Sequence, residues 1–179
     1  MCNHCENAPC VSACPTGAMY KGFGGLTLHE PKKCIGCKAC IINCPYGVIS
    51  FNWDTPHDPW QSDESLVEGG TFSPKEMLQR AGGDGSPHAN PERGNTYPVQ
   101  RARGTVEKCN FCDHRLAKGQ QPACVEACPA HARVAGDLDD PASEVAQLLS
   151  KHVPRTLRSE LGTGPRVFYI RAYKPERQA

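Results

Sequence analysis

The chain of 179 residues has room for one ordinary domain or two very small ones. Its 20 Lys and Arg against 19 Asp and Glu leave a net charge of +1, which excludes a polyelectrolyte surface, so no nucleic acid is expected as a partner. Leu, Ile, Val and Phe make up only about 17% of the residues, too few for a large apolar core, yet disorder would need a higher net charge. Something else must hold the chain together, and its 12 cysteines are the obvious means. The longest unbroken apolar runs are short, such as Val167-Phe168-Tyr169-Ile170, so no transmembrane helix is expected. Neither an apolar leader region nor an Arg-Arg pair is visible, and any contact with a membrane or export route is expected through a partner.

In chain order, Ala18-Met19-Tyr20 and Leu26-Thr27-Leu28 flank Lys21-Gly22-Phe23-Gly24-Gly25, a hairpin signal. Val48 to Trp53 reads as a strand. From about Phe51 to Thr105 there is no cysteine, and Pro and Gly are frequent, as expected of a long surface insertion rather than a second core. One short helix is expected within it: Ser73 caps, Pro74 occupies the first helical position, Glu76 completes a capping box, and Gly82-Gly83 stops it. Asp140-Pro141 starts another helix, with Val145, Leu148, Leu149 and His152 or Val153 along one face until Pro154. Arg166 to Tyr173 reads as a strand with Val167, Tyr169 and Arg171 on one side and Phe168 and Ile170 on the other. The fold class is α+β, with short elements around two cysteine blocks.

The cysteines form an internal repeat. Cys2-x2-Cys5-x4-Cys10-x3-Cys14-Pro15 is the first copy, Cys34-x2-Cys37-x2-Cys40-x3-Cys44-Pro45 the second, and Cys109-x2-Cys112-x11-Cys124-x3-Cys128-Pro129 the third. The second copy matches the bacterial [4Fe–4S] run residue for residue. Three cysteines on a tight loop reach three corners of a cubane. The fourth lies a helical turn beyond, so its thiolate points toward a neighbouring cluster, and the following Pro ends the short helix. Gly36 permits close backbone approach to the cluster sulfurs, and Ile35, Ile41 and Ile42 are expected to form a dry shell around them. Disulfide scaffolds do not repeat Cys-x3-Cys-Pro three times. Zinc ribbons use two Cys-x2-Cys pairs, which leaves the third Cys of the second copy unaccounted for. Iron–sulfur is the reading that uses all three copies.

On these residues the chain resembles the iron–sulfur electron-transfer subunits of the complex iron–sulfur molybdoenzymes, of the polysulfide, tetrathionate and dimethyl sulfoxide reductase type. The likeness covers Met1 to about Asp140 apart from the insertion, and continues more weakly into the last strand. Beyond the cysteines it includes Asn3-His4, Glu6-Asn7-Ala8-Pro9, Tyr46-Gly47, Ser50-Phe51-Asn52-Trp53, Glu107-Lys108, Asn110-Phe111, Asp113-His114-Arg115 and Gly136-Asp137-Leu138-Asp139-Asp140-Pro141. The resemblance implies paired ferredoxin-like, cluster-binding halves: a two-cluster unit over 1–54, the loop-rich insertion over 55–105, and the third motif with a C-terminal helix and strand over 106–179. It implies an electron wire of anaerobic respiration, itself non-catalytic, joining a large molybdenum- or tungsten-pterin subunit to a quinone-reactive integral membrane subunit. Membrane association would come through these partners, with a lean toward the periplasmic face. Carried over by position, one [4Fe–4S] cluster takes Cys2, Cys5, Cys10 and Cys44. A second takes Cys34, Cys37, Cys40 and Cys14. A third takes Cys109, Cys112 and Cys124 with its fourth ligand missing, and Cys128 serves a further cluster. Family members usually carry one more cysteine motif upstream that exchanges ligands with the last. A chain whose first motif begins at Cys2 is therefore either an N-terminal truncation of a four-cluster protein or one that has lost a cluster, and truncation is expected because Cys128 otherwise has no cluster to ligate.

Other residues carry weaker signals. His4 and His114 stand beside ligands, and a hydrogen bond to backbone or carboxylate is the expected role for each. Trp53 is expected in the core. Lys33, Lys38, Lys108 and Arg133 would raise cluster potentials if close to them, or simply be solvated. The C-terminal stretch from Leu148 is basic, as solubility alone would explain. In Cys128-Pro129-Ala130-His131 a bulky residue stands where the first copy has Gly17. Two other classes remain beside the wire: a soluble polyferredoxin, disfavoured by the long insertion, and a cluster enzyme with an open iron site at the incomplete third motif.

Overall fold

Two antiparallel pairs of short strands carry the cysteine loops. In the computed structural model, which describes residues 1–54, 72–80, 90–99 and 102–170, β1 (Met19–Lys21) pairs with β2 (Thr27–His29) in the register Met19 to His29, Tyr20 to Leu28 and Lys21 to Thr27. The expected hairpin is present, shifted by one residue. Its turn closes with the Gly22 amide donating to the Leu26 carbonyl at 2.8 Å, and Gly24 and Gly25 take the positive φ that the tight return requires. Met19, Thr27, Leu28 and His29 are all buried, so this hairpin is the floor on which the cysteine loops sit.

β3 (Ser50–Phe51) pairs with β4 (Val106–Glu107), Ser50 opposite Glu107 and Phe51 opposite Val106. The strand expected over 48–53 is thus only two residues long. Bonds from the Asn52 amide to the Thr105 carbonyl (2.9 Å) and from the Gly104 amide to the Asn52 carbonyl (2.8 Å) extend the contact. This pairing closes the insertion at its base and brings the second and third cysteine motifs side by side.

Each motif carries a short helix ahead of its Cys-Pro: α1 (Pro9–Ser12), α2 (Ala39–Asn43), and α5 (Ala123–Glu126) in the third, where α4 (Asp113–Leu116) precedes it. The three copies repeat in conformation as well as in sequence. Gly17, Gly47 and His131, each three residues beyond a Cys-Pro cysteine, all have positive φ (66°, 60° and 47°). Each donates its amide back to the carbonyl of that cysteine. His131 therefore adopts the glycine conformation in spite of its side chain. A second shared feature escaped the sequence: the residue before the second cysteine is left-handed in all three, at His4 (43°), Gly36 (71°) and Phe111 (60°). Such a reversal turns successive N–H groups to one side and makes an anion-binding concavity.

Within the insertion, α3 (Pro74–Arg80) starts on the expected capping box, with the Ser73 amide donating to Glu76 Oε2 (2.9 Å) and the Glu76 amide to Ser73 Oγ (3.2 Å). The glycines expected to stop it lie outside the described residues. Residues 90–99 are not merely superficial, because Tyr97 is buried against His29. The C-terminal helix α6 (Glu144–Lys151) starts later than expected. Asp140 accepts from the Ala142 amide (2.8 Å) in a turn, and Ser143 caps the helix through the Ala146 amide (3.2 Å). Val145, Leu148 and Leu149 share its half-buried face, whereas His152 and Val153 are exposed beyond its end. The expected strand from Arg166 reduces, among the described residues, to a bridge between Arg155 and Tyr169; residues 171–173 lie outside them. The Arg166 amide is bonded instead to the Asn3 carbonyl (2.9 Å), so this segment serves as a strap over the first cysteine loop.

The core is largely cysteine. Cys5, Ala8, Cys10, Met19, Cys40, Ile49 and Val106 form its buried cluster, with Cys14, Cys34, Ile41, Cys44, Tyr46 and Phe51 packed around it. Of the expected dry shell only Ile41 fits fully, since Ile42 is 82% exposed and Ile35 67% exposed. Helix α2 is a single turn with one inward face, and Ile42 falls on the other.

Candidate metal centre

Two cavities lie against the β1–β2 floor, and each is lined by four cysteines. Cys2, Cys5, Cys10 and Cys44 line one, together with Asn3 and Tyr46. Cys14, Cys34, Cys37 and Cys40 line the other, with Met19, His29 and Val106. In each case three cysteines come from one motif and the fourth from the Cys-Pro of the other. The cause is local: α1 and α2 lie against one another and each ends in a turn that throws its last cysteine across the contact. Among the described residues no three Cys, His, Asp or Glu side chains close on one point tightly enough for a single metal ion.

The electrostatics suit a cationic iron core. Burial, and then Cys2, push the Cys10 thiol up to about 11. Burial, and then Cys34, do the same to Cys40, also to about 11. Thiols so crowded release their protons together only against a compensating positive centre. At Cys14 burial opposes ionisation but the Met19 amide, 3.4 Å from Sγ, and Thr16 outweigh it and lower the pKa. Asn3 is 1% exposed, lines the first cavity, and has neither Nδ2 nor Oδ1 hydrogen-bonded. A buried amide without a partner is costly, and a cluster sulfide in that cavity would supply an acceptor for it. The residues present therefore fit iron–sulfur clusters at both sites.

The third motif is arranged differently. Cys109 and Cys112 line a broad, open cavity of about 450 Å³ with Arg93, Tyr97, Asp113 and His114, while Cys124 and Cys128 lie outside its wall. The Phe111 amide donates to Cys109 Sγ (3.3 Å). Burial, chiefly, raises the Cys109 thiol. Backbone amides of Ala132 and Ala130 hold Cys128 below its usual range. Arg115 links this motif to the insertion, pairing with Glu126 and lying 3.6 Å from Glu92.

The structure sorts the flanking residues. His114 is buried with Nδ1 3.8 Å from the Asp113 carboxylate, beyond hydrogen-bond distance. The buried His4 ring packs edge-on against Phe111 at 5.4 Å; burial, then Lys108 and Lys21, depress its pKa to about 3, against the opposing effect of the Thr27 backbone. Trp53 is 64% exposed rather than core, in edge contact with Phe51 and with Lys38 Nζ 3.4 Å above its ring. Lys33 and Arg133 are exposed. Lys108 is not: its ammonium turns inward, donates to the Cys109 carbonyl (2.8 Å) and the Thr27 carbonyl, and belongs to the walls of both the first cavity and the third-motif cavity. Burial lowers its pKa, with Cys2 and Cys109 opposing the shift. His29 and Tyr97 went unnoticed in the sequence. His29 had a faint signal, the inward end of a strand, and Tyr97 had none.

Comparison with known proteins agrees with this geometry. The 4Fe-4S dicluster domain family matches residues 1–58 and 94–138. The arsenate respiratory reductase iron-sulfur subunit of Shewanella sp. strain ANA-3 is 60% identical over 173 residues, 97% of this chain and 74% of that protein. A selenate reductase subunit of Mesobacillus selenatarsenatis is 36% identical over 176 residues, 94% of this chain and 53% of its own length. A tetrathionate reductase subunit of Salmonella typhimurium is 32% identical over 172 residues, 95% of this chain and 50% of its own. The chain thus spans three quarters of the first and about half of the other two. Among the described residues no helix is long and apolar enough to cross a membrane. Cysteine repeat, paired cavities and relatives agree: the chain belongs to the family of iron–sulfur electron-transfer subunits of the molybdoenzyme reductase complexes.

Proposed function

We propose that this chain is a non-catalytic wire that passes single electrons through [4Fe–4S] clusters toward a molybdenum- or tungsten-pterin catalytic subunit from a quinone-reactive membrane subunit. The observation that carries the reading is the pair of four-cysteine cavities. In it, Cys2, Cys5, Cys10 and Cys44 hold one cluster, and Cys34, Cys37, Cys40 and Cys14 the next. Such clusters supply one-electron carriers; the chain's own part is to hold the thiolates, offer amide N–H groups to sulfur and exclude water. The likeness to the arsenate respiratory reductase protein supports arsenate, an oxyanion, as the substrate of the catalytic partner. Membrane association comes through the partners, on the periplasmic side.

At the third motif, Cys109, Cys112 and Cys124 hold a further cluster whose fourth ligand comes from outside these residues, and Cys128 points to another. The support for this exchange and a four-cluster assembly is the repeat itself, in which Cys128-Pro129 stands where Cys14-Pro15 and Cys44-Pro45 stand in the other two copies. The test is Cys14→Ser in the isolated complex, followed by low-temperature EPR. The signal of the Cys34, Cys37 and Cys40 cluster should change and that of the Cys2, Cys5 and Cys10 cluster should not. The reverse pattern, or zinc in place of iron and labile sulfide, overturns the reading. Reduced complex that is reoxidised by arsenate, with a pterin protein co-purifying, is expected for the partner assignment.

A further inference from the structure

His29 ends β2 and is 3% exposed, and its ring forms part of the wall of the cavity lined by Cys14, Cys34, Cys37 and Cys40. Its two nitrogens are in different circumstances. Nδ1 lies 3.0 Å from the Tyr97 hydroxyl, a contact across 68 positions of the chain. Nε2 is fully buried and has no hydrogen-bond partner. Tyr97 is itself buried and firmly held. Its amide donates to the Arg93 carbonyl at 2.8 Å, the Arg93 guanidinium lies 5.2 Å from its ring centre, and the Asn90 amide closes the segment onto the Val99 carbonyl at 3.0 Å.

A neutral imidazole has one N–H and one bare nitrogen. Nδ1 is turned to Tyr97, which does not line the cavity, so Nε2 is the nitrogen left for it; were the proton on Nδ1, a bare Nε2 lone pair would be buried with no donor to meet it, beside thiolate sulfurs in a dry site. With the proton on Nε2, the Tyr97 O–H donates to Nδ1 and the ring N–H meets sulfur, so every polar atom is satisfied. Resting on the cluster assignment made above, we infer that His29 donates its Nε2–H to the cluster of Cys14, Cys34, Cys37 and Cys40, that Tyr97 fixes the tautomer which allows this, and that the pair raises that cluster's reduction potential. A hydrogen bond to sulfur stabilises the reduced, more negative state more than the oxidised one, which sets the sign. Tyr97 is thus a positioning residue, and the inserted segment has a task at the centre rather than only on the surface.

The test is a potentiometric titration of the full complex followed by EPR, with the second-site signal identified as the one altered by Cys14→Ser. His29→Leu should lower that cluster's reduction equilibrium constant about tenfold, equivalent to about 59 mV for one electron. Tyr97→Phe, which keeps the packing, should lower it in the same direction by a smaller factor, and His29→Gln, which restores an N–H, should recover part of the loss. The first cluster should keep its potential throughout. An exchangeable proton coupled to the reduced second cluster is expected in the wild type and should vanish in His29→Leu. An unchanged second-site potential in Tyr97→Phe and His29→Leu overturns the inference, as does an equal shift at both clusters. If His29→Leu fails to load iron, Tyr97→Phe alone decides. Failure of the underlying assignment is distinct, since the wild type would then lack a second-site signal altogether.

Discussion

The hydroxyls of Tyr46 and Thr163 lie 2.6 Å apart and join positions separated by 117 residues. Tyr46 follows Cys44-Pro45 in the wall of the first cavity, and Thr163 belongs to the C-terminal strap. The strap accepts from the Glu6 amide at the Gly164 carbonyl (2.8 Å) and from the Asn7 amide at the Thr163 carbonyl (3.0 Å). Arg166 pairs with Glu6 beside them. The first cysteine loop is thereby clasped by the far end of the chain. Tyr46→Phe leaves the buried Thr163 hydroxyl without that partner, which should cost about 1–3 kcal/mol in denaturant unfolding. Adding Thr163→Val should restore most of the loss, because removing both hydroxyls leaves only the exposed Leu157 carbonyl short of a donor, which water supplies. Iron should also leave the first site faster in the single variant than in the double.

Gly36 is a sharper case. Its φ of +71° favours glycine, and a Cβ there would meet the Gly104 carbonyl oxygen at 2.2 Å. The backbone beside β4 approaches this residue closely, which packs the third motif against the second. Gly17 has a similar φ of +66° but open space around it. Gly17→Ala should therefore cost only the conformational penalty, about 1–2 kcal/mol. Gly36→Ala must also push two backbones apart, and should lose the second-site cluster. Iron per chain distinguishes them: near the wild-type value for Gly17→Ala, and short by one cluster for Gly36→Ala.

Lys108 occupies the partition between the first cavity and the third-motif cavity, so its charge acts on both. Lys108→Met keeps much of the stem and removes the charge. It should lower the first-site reduction equilibrium constant by on the order of tenfold, read in the same redox titration. Lys33→Met and Arg133→Met should leave potentials unchanged, because those side chains are exposed and solvent and salt screen them. A response to all three substitutions alike would mean that net charge, not position, sets the potential.

Iron removal should unfold the protein. Cysteines make up much of the buried cluster, and its other members, Ala8, Met19, Ile49 and Val106, are too few to hold the fold without the cluster bonds. Chelation under anaerobic reducing conditions should abolish the cooperative thermal transition and collapse the far-ultraviolet dichroism of α1, α2 and the hairpin. An iron-free chain that still melts cooperatively near the native temperature would contradict this.

What could be read from the sequence was what is local. Cys-x2-Cys spacing, the Cys-x3-Cys-Pro repeat, the glycine-rich hairpin turn and the Ser73–Glu76 capping box are each complete within about ten residues, and each has a geometry that its residue types alone impose. Tertiary structure decided what depends on distant chain. It brought Cys44 into the wall of the first cavity and Cys14 into that of the second, turned Lys108 inward while leaving Lys33 and Arg133 in solvent, and put Ile42 and Trp53 outside. It also held His4 and Phe111 in the glycine-like conformation of Gly36, and drew Tyr97 from the insertion to His29. The difference is physical. Turn and ligand spacing are fixed by covalent reach over a few residues. Burial, the left-handed conformation of a bulky residue and a contact across 68 or 117 positions are fixed by what packs against them, and no short pattern encodes that.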